Sequence, residues 1–149
     1  MAKVGDNVPE FSGKATNDQT ISSESLKGRW SVIFFYPKAF TPGCTKEVCS
    51  VRDGYSEIKN KFNVQIIGVS KDTLEKQKKF KEKYKLEYEL VADEKGEIIN
   101  KFGVKGIFGN AQRKTFIVSP EGKIAYVFEK VDVNNHHKQI LEVLEKIAK

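Results

Sequence analysis

The sequence predicts an α/β domain in which a mixed β-sheet carries helices on both faces. Three observations point there. A short aromatic and β-branched run, Trp30 to Tyr36, ends at Pro37. A second apolar run, Asn63 to Val69, follows an amphipathic stretch from Cys44 to Lys61. Two more apolar runs flank Ser119-Pro120-Glu121-Gly122. The first two describe strand, helix and parallel strand, and the third describes a hairpin.

Each element follows from its local pattern. Trp30–Tyr36 reads as a central strand buried on both faces. Val48, Val51, Tyr55, Ile58 and Phe62 recur at spacings of three and four, the stripe of one helix. Asn63–Val69 is the second buried strand. In Asp72-Thr73-Leu74-Glu75 an acid lies three residues after Asp72, a capping-box pattern with Asp72 as N-cap. Leu74, Gln77, Phe80 and Tyr84 line one side of the Lys-rich helix behind it. Tyr88–Ala92 reads as a short strand, followed by a short helix through Ile98, Ile99 and Phe102. Lys114–Val118 and Lys123–Phe128 are strands joined by a turn with Pro second and Gly fourth, which favours type I. A helix from about Asn135 closes the chain on Ile140, Leu141, Leu144 and Ile147. The order β-α-β-α-(β-α)-β-β-α is the thioredoxin-like arrangement, with added structure at the N-terminus and in the middle.

With 149 residues, no repeat and no linker-like tract, the chain reads as one domain, 1–149. A hydrophobic content of 39% excludes a disordered chain. No apolar run reaches the roughly 20 residues of a membrane span, and Met1 to Asp6 has no secretion-signal core. The expectation is a cytoplasmic protein with reduced thiols and no membrane partner. The net charge of +6 is spread over Lys71–Lys85 and Lys138–Lys149, interleaved with Glu at helical spacing. That is the pattern of solvated helix faces, so no nucleic-acid partner is expected.

The chemistry concentrates in Pro37-Lys38-Ala39-Phe40-Thr41-Pro42-Gly43-Cys44-Thr45-Lys46-Glu47-Val48-Cys49. It lies where the first strand ends and its helix begins, the end of a parallel strand at which α/β folds place ligands. A helix N-terminus favours a thiolate, which makes Cys44 a candidate nucleophile. Thr41 lies three residues before it, and Pro42-Gly43 permits a tight approach of the backbone. Cys49 follows five residues later, about 7.5 Å along a helix and about 140° around it. The two Cα atoms are then roughly 8–9 Å apart, beyond the approximately 7 Å limit of a disulfide. A bond between them needs the first helical turns to unwind. Other readings stand beside this one. Free cysteines are often simply buried apolar residues. His136 and His137 lack zinc-ligand spacing toward the thiols, so no metal or cofactor is expected, and Cys-x-x-Cys is absent.

Pro37, Thr41 and Cys44 match the Pro-x-x-x-Thr-x-x-Cys signature of peroxiredoxins, the thiol peroxidases of the thioredoxin superfamily. The longer run through Cys49 resembles the peroxiredoxin Q branch, also called bacterioferritin comigratory protein. Val4-Gly5-Asp6 to Phe11, Arg113–Val118 and Asn135-His136-His137 are also similar to that branch. The resemblance implies a thioredoxin-like fold with the family's N-terminal extension. It implies that Cys44 is the peroxidatic cysteine, attacking hydrogen peroxide or an organic hydroperoxide, and that Cys49 resolves the sulfenic acid as an intramolecular disulfide. Arg113 would hold the thiolate, Thr41 would bond thiolate and substrate, and Pro37 would pack over the sulfur. Thioredoxin or a similar dithiol donor would recycle an antioxidant enzyme acting as a monomer or weak homodimer. Two alternatives share the same cysteines: a peroxide sensor that relays oxidation to a partner, and a binding module with structural thiols. Glu47 reads equally as a branch feature or an ordinary first-turn acid. Gly106–Asn110 reads as an apolar loop that either selects bulky peroxides or covers a sheet edge.

Overall fold

The computed structural model describes residues 1–148. Seven strands and four α-helices follow in order: β1 (Ser12–Ala15), β2 (Thr20–Ser22), β3 (Ser31–Phe35), α1 (Pro42–Phe62), β4 (Gln65–Ser70), α2 (Leu74–Tyr84), β5 (Glu89–Ala92), α3 (Glu97–Phe102), β6 (Lys114–Val118), β7 (Ile124–Phe128) and α4 (His136–Ile147). They form one mixed sheet in the order β2-β1-β5-β4-β3-β6-β7. β3, β4 and β5 are parallel, whereas β6 pairs antiparallel with β3 and β7, and β1 with β2 and β5.

All five residues of β3 are buried, as its unbroken apolar run implies. Val32, Phe34 and Tyr36 join one core cluster with Val48, Val51 and Ile58 of α1, Phe80 of α2, and Ile140 and Leu144 of α4. Ile33 and Phe35 point the other way, into a cluster with Phe11, Leu26, Ile98, Ile99 and Phe102. Gly68 of β4 is required by this packing, because a Cβ there would lie 2.7 Å from Phe34 and 2.8 Å from Leu90. The expected turn is present: Gly122 N–H donates to Ser119 C=O at 2.9 Å.

Several local expectations move. Asn63 is not the first residue of a strand; it ends α1 in the left-handed region, φ 51°, which Asn tolerates. β4 therefore starts at Gln65. The N-cap of α2 is Thr73, whose side chain accepts from Lys76 N–H, not Asp72, which is drawn into the interior. The added N-terminal structure is the β1–β2 hairpin at one sheet edge, the added middle is β5–α3, and Val8 N–H bonds Gly122 C=O on the far side.

Candidate active site

β3 delivers the chain to the site and α1 carries it away. The five-residue loop between Tyr36 and Pro42 is pinned by Asp72, just beyond β4. Its Oδ2 accepts from Ala39 N–H at 2.8 Å and from the Ser70 hydroxyl at 2.6 Å. Phe40 sits in the left-handed region at φ 67°, a conformation uncommon for an aromatic residue. Its ring is held against Phe80 at a centroid distance of 4.9 Å, with Lys83 Nζ 5.9 Å away. Packing and the Asp72 anchor thus offset the local strain.

Thr41 is the extended N-cap of α1 and Pro42 occupies the first turn, where its missing N–H costs nothing. The first helical bond runs from Thr45 N–H to Thr41 C=O at 2.9 Å. Cys44 therefore lies in the turn whose amides precede the hydrogen-bond ladder, facing the positive end of a 21-residue helix. Its side chain is fully buried. Arg113, immediately before β6, spans the site: its Nη1 is 3.5 Å from Cys44 Sγ and 2.7 Å from Glu47 Oε1. A Cβ on Gly43 would lie 3.1 Å from Arg113 Nη2, so glycine is what lets the guanidinium lie over this turn. Burial works against the Arg113 charge, yet Cys44 and Glu47 outweigh it and raise its pKa above the ordinary arginine value.

The remaining expected residues fall as follows. The Thr41 hydroxyl donates to Lys38 C=O at 2.6 Å rather than to the sulfur. Pro37 is half-buried at the head of the loop. Cys49 lies on the same unbroken helix, half-buried against the core and not bonded to Cys44. Burial, opposed by Arg52 and reinforced by Asp53, pushes its thiol pKa up. Among the described residues, no group of three or more His, Cys, Asp or Glu side chains is arranged to hold a metal, and no helix is long and apolar enough to cross a membrane. Phe108 of the 106–110 loop is 92% exposed, at φ 59°.

Two participants were not legible in the pattern. Asp72 looks like a helix cap, and only the fold reveals that it anchors the loop. Glu47 reads equally as a branch feature or an ordinary first-turn acid, and only the fold shows it fully buried in the second turn of α1. Burial lifts its pKa to about 7, with the Arg113 bond and charge opposing.

Comparison with known proteins places this geometry in a family. The AhpC/TSA family model matches residues 4–127. Peroxiredoxin Bcp of Escherichia coli (strain K12) is 35% identical over 153 aligned residues, covering 98% of this chain and 97% of the relative. The peroxiredoxin Bcp of Bacillus subtilis (strain 168) is 34% identical, covering 98% of this chain and 97% of the relative. Among solved structures, peroxidoxin BcpB from Mycobacterium tuberculosis superposes with a TM-score of 0.90 at 33% identity, with both chains fully covered. Xanthomonas campestris peroxiredoxin Q superposes at 0.89 and 28% identity, over 100% of this chain and 98% of that one. The chain belongs to the AhpC/TSA family, in the branch of thiol-dependent peroxidases called peroxiredoxin Bcp or Q.

Proposed function

We propose that the chain reduces hydrogen peroxide and organic hydroperoxides through Cys44, resolves the product with Cys49, and is recycled by thioredoxin or a similar dithiol. The carrying observation is the buried Cys44 sulfur at a helix start with Arg113 Nη1 3.5 Å away. A cation and a helix N-terminus both favour S⁻ over SH. The thiolate attacks one peroxide oxygen, the O–O bond breaks, and the departing RO⁻ takes a proton, leaving Cys44 as a sulfenic acid. Arg113 donors stabilise the negative charge that moves onto the departing oxygen. The Thr41 hydrogen is committed to Lys38 C=O, which leaves its oxygen free to accept from the O–H of a hydroperoxide.

Condensation of the sulfenic acid with the Cys49 thiol forms the disulfide and releases water. On α1 both residues belong to one continuous helix, so this step requires its first turns to open. A dithiol then restores both thiols by exchange, a cycle suited to the reducing cytoplasm. Cys44, Cys49 and Arg113 all come from one chain, so a monomer suffices. The alkyl peroxide reduction activity of the Xanthomonas campestris bacterioferritin comigratory protein, 29% identical to this chain, supports organic hydroperoxides as substrates.

Steady-state peroxide consumption with thioredoxin and its reductase tests the scheme. Cys44→Ser should lose about 10³-fold or more of the activity. Cys49→Ser should still be oxidised once but form no intramolecular disulfide by intact mass. Full activity in Cys44→Ser overturns the assignment of the nucleophile. A single oxidation without turnover in the wild type would mark a sensor instead.

A further inference from the structure

Arg113 carries one positive charge and faces two acids. Its Nη1 is 3.5 Å from Cys44 Sγ and 2.7 Å from Glu47 Oε1. Glu47 is fully buried, and its other oxygen, Oε2, has no hydrogen-bond partner. Tyr88, buried just before β5, feels the Glu47 charge, which helps to raise its pKa, and it donates its hydroxyl to Val48 C=O at 2.7 Å. α1 begins at Pro42, so Glu47 lies in its second turn, past the helix-end amides that a capping acid would serve. Glu47 is instead turned inward against the guanidinium.

Charge balance decides the state of this cluster. Two buried anions on one half-buried cation leave a negative charge uncompensated, at an oxygen without any donor, in a medium of low dielectric. Cys44 must be a thiolate to attack, so Glu47 is the acid that stays protonated. Its pKa of about 7, raised by burial, agrees with this. When Cys44 becomes a sulfenic acid the competing charge disappears, and Arg113 is left to Glu47 alone.

We propose that Glu47 is the proton reservoir of peroxide reduction, neutral while Cys44 is a thiolate and ionised once Cys44 carries the oxygen. The proposal rests on Cys44 being the peroxidatic residue. The balanced step is Cys44–S⁻ + HO–OR + Glu47–COOH → Cys44–S–OH + HOR + Glu47–COO⁻. Sulfur is oxidised by two electrons, the O–O bond is reduced, and the departing alkoxide's proton is matched by the one Glu47 gives up. Glu47 acts through Arg113 and is a positioning residue.

Counting protons tests this. The full chain carrying Cys49→Ser, which stops at the sulfenic acid, is reduced and mixed with one equivalent of H₂O₂ in weak buffer with a pH indicator. Thiolate absorbance in the ultraviolet is read before mixing, and the mass of a dimedone adduct at Cys44 is read after it. At about pH 6 this parent should take up close to zero protons per Cys44, and at about pH 8, with Glu47 already ionised, about one. Adding Glu47→Gln should preserve the thiolate absorbance and give about one proton at both pH values. Uptake of a full proton by the parent at pH 6 overturns the proposal. So does a Glu47→Gln protein that loses its thiolate or takes up no more than the parent at pH 6. Should that variant fail to fold, the parent's pH profile decides alone. Absence of any dimedone adduct at Cys44 removes the peroxidatic reading itself, and this proposal with it, before a proton is counted.

Discussion

Two buried polar clusters lie two residues apart along the same chain segment, at Arg113 and Thr115, and they are built in opposite ways. Around Thr115 every polar atom is satisfied. His136 Nδ1 is 2.7 Å from Gln139 Oε1, and His136 Nε2 is 2.8 Å from the Thr115 hydroxyl. Gln139 Oε1 also accepts from Asp132 N–H, so it is an acceptor and Nδ1 carries the imidazole proton. Nε2 then accepts from Thr115. Burial lowers the His136 pKa to about 4, which keeps the ring neutral. Around Arg113 the inventory does not close: one cation serves a sulfur and a carboxylate, and Glu47 Oε2 has no partner. A closed network locks α4 against the sheet, whereas an open one keeps a charge available for chemistry.

Substitutions should separate the two clusters. The largest effect beyond loss of the nucleophile is expected at Arg113. Arg113→Lys keeps a charge but not the flat fork, and should reduce peroxide kcat/KM by about 10²-fold with little change in the urea midpoint. In the closed cluster the readouts exchange places. His136→Leu leaves the Thr115 hydroxyl unpaired and takes one of two donors from Gln139 Oε1, and should cost about 2–3 kcal/mol in urea unfolding, while the folded protein keeps its peroxide kinetics.

The smallest effect is in the wild type, and it carries the sign of both clusters. His136 titrates at about 4 folded against 6.5 unfolded, so its contribution is present above pH 6.5 and is lost as pH falls through 4, about 3 kcal/mol in all. Glu47 titrates at about 7 folded against 4.5 unfolded, so its contribution is present below pH 4.5 and is lost as pH rises through 7, by a similar amount of about 3 kcal/mol. Between about pH 4.5 and 6.5 the two oppose each other, and from these groups the wild type should show a nearly flat stability profile. Glu47→Gln should lose stability on acidification over that window, and His136→Leu should gain it. Denaturant midpoints at four or so pH values check both slopes; parallel slopes in the two variants would break the comparison.

The elements that were legible are those decided over short range. The three- and four-residue spacing in α1, the uniform apolar run of β3 and the Pro-Gly turn each state a local preference, and each forms close to where it was read. Boundaries moved where one residue served the neighbouring element. Asn63 looks like the head of a strand and is a left-handed helix stop. Asp72 matches a capping box by spacing, but Thr73 supplies the cap, since Asp72 has stronger partners in Ala39 and Ser70. Thr41 lies at the expected place but turns its hydrogen to Lys38.

By itself the sequence determined the strands β3 to β7 but not the β1–β2 hairpin, together with the start of α1 and the candidacy of Cys44, because strand burial, helix termination and the field at a helix start depend on residues a few positions apart. It also marked Cys49 as one unwinding event away, a matter of helical rise. The tertiary structure decided the rest. Arg113 meets Cys44 across 69 positions of chain only because β6 runs antiparallel beside β3. Glu47, whose role the sequence left open, is buried because its face of α1 packs inward beneath that arginine. Burial and pairing are properties of the whole packing, and they set the charge that the site can hold.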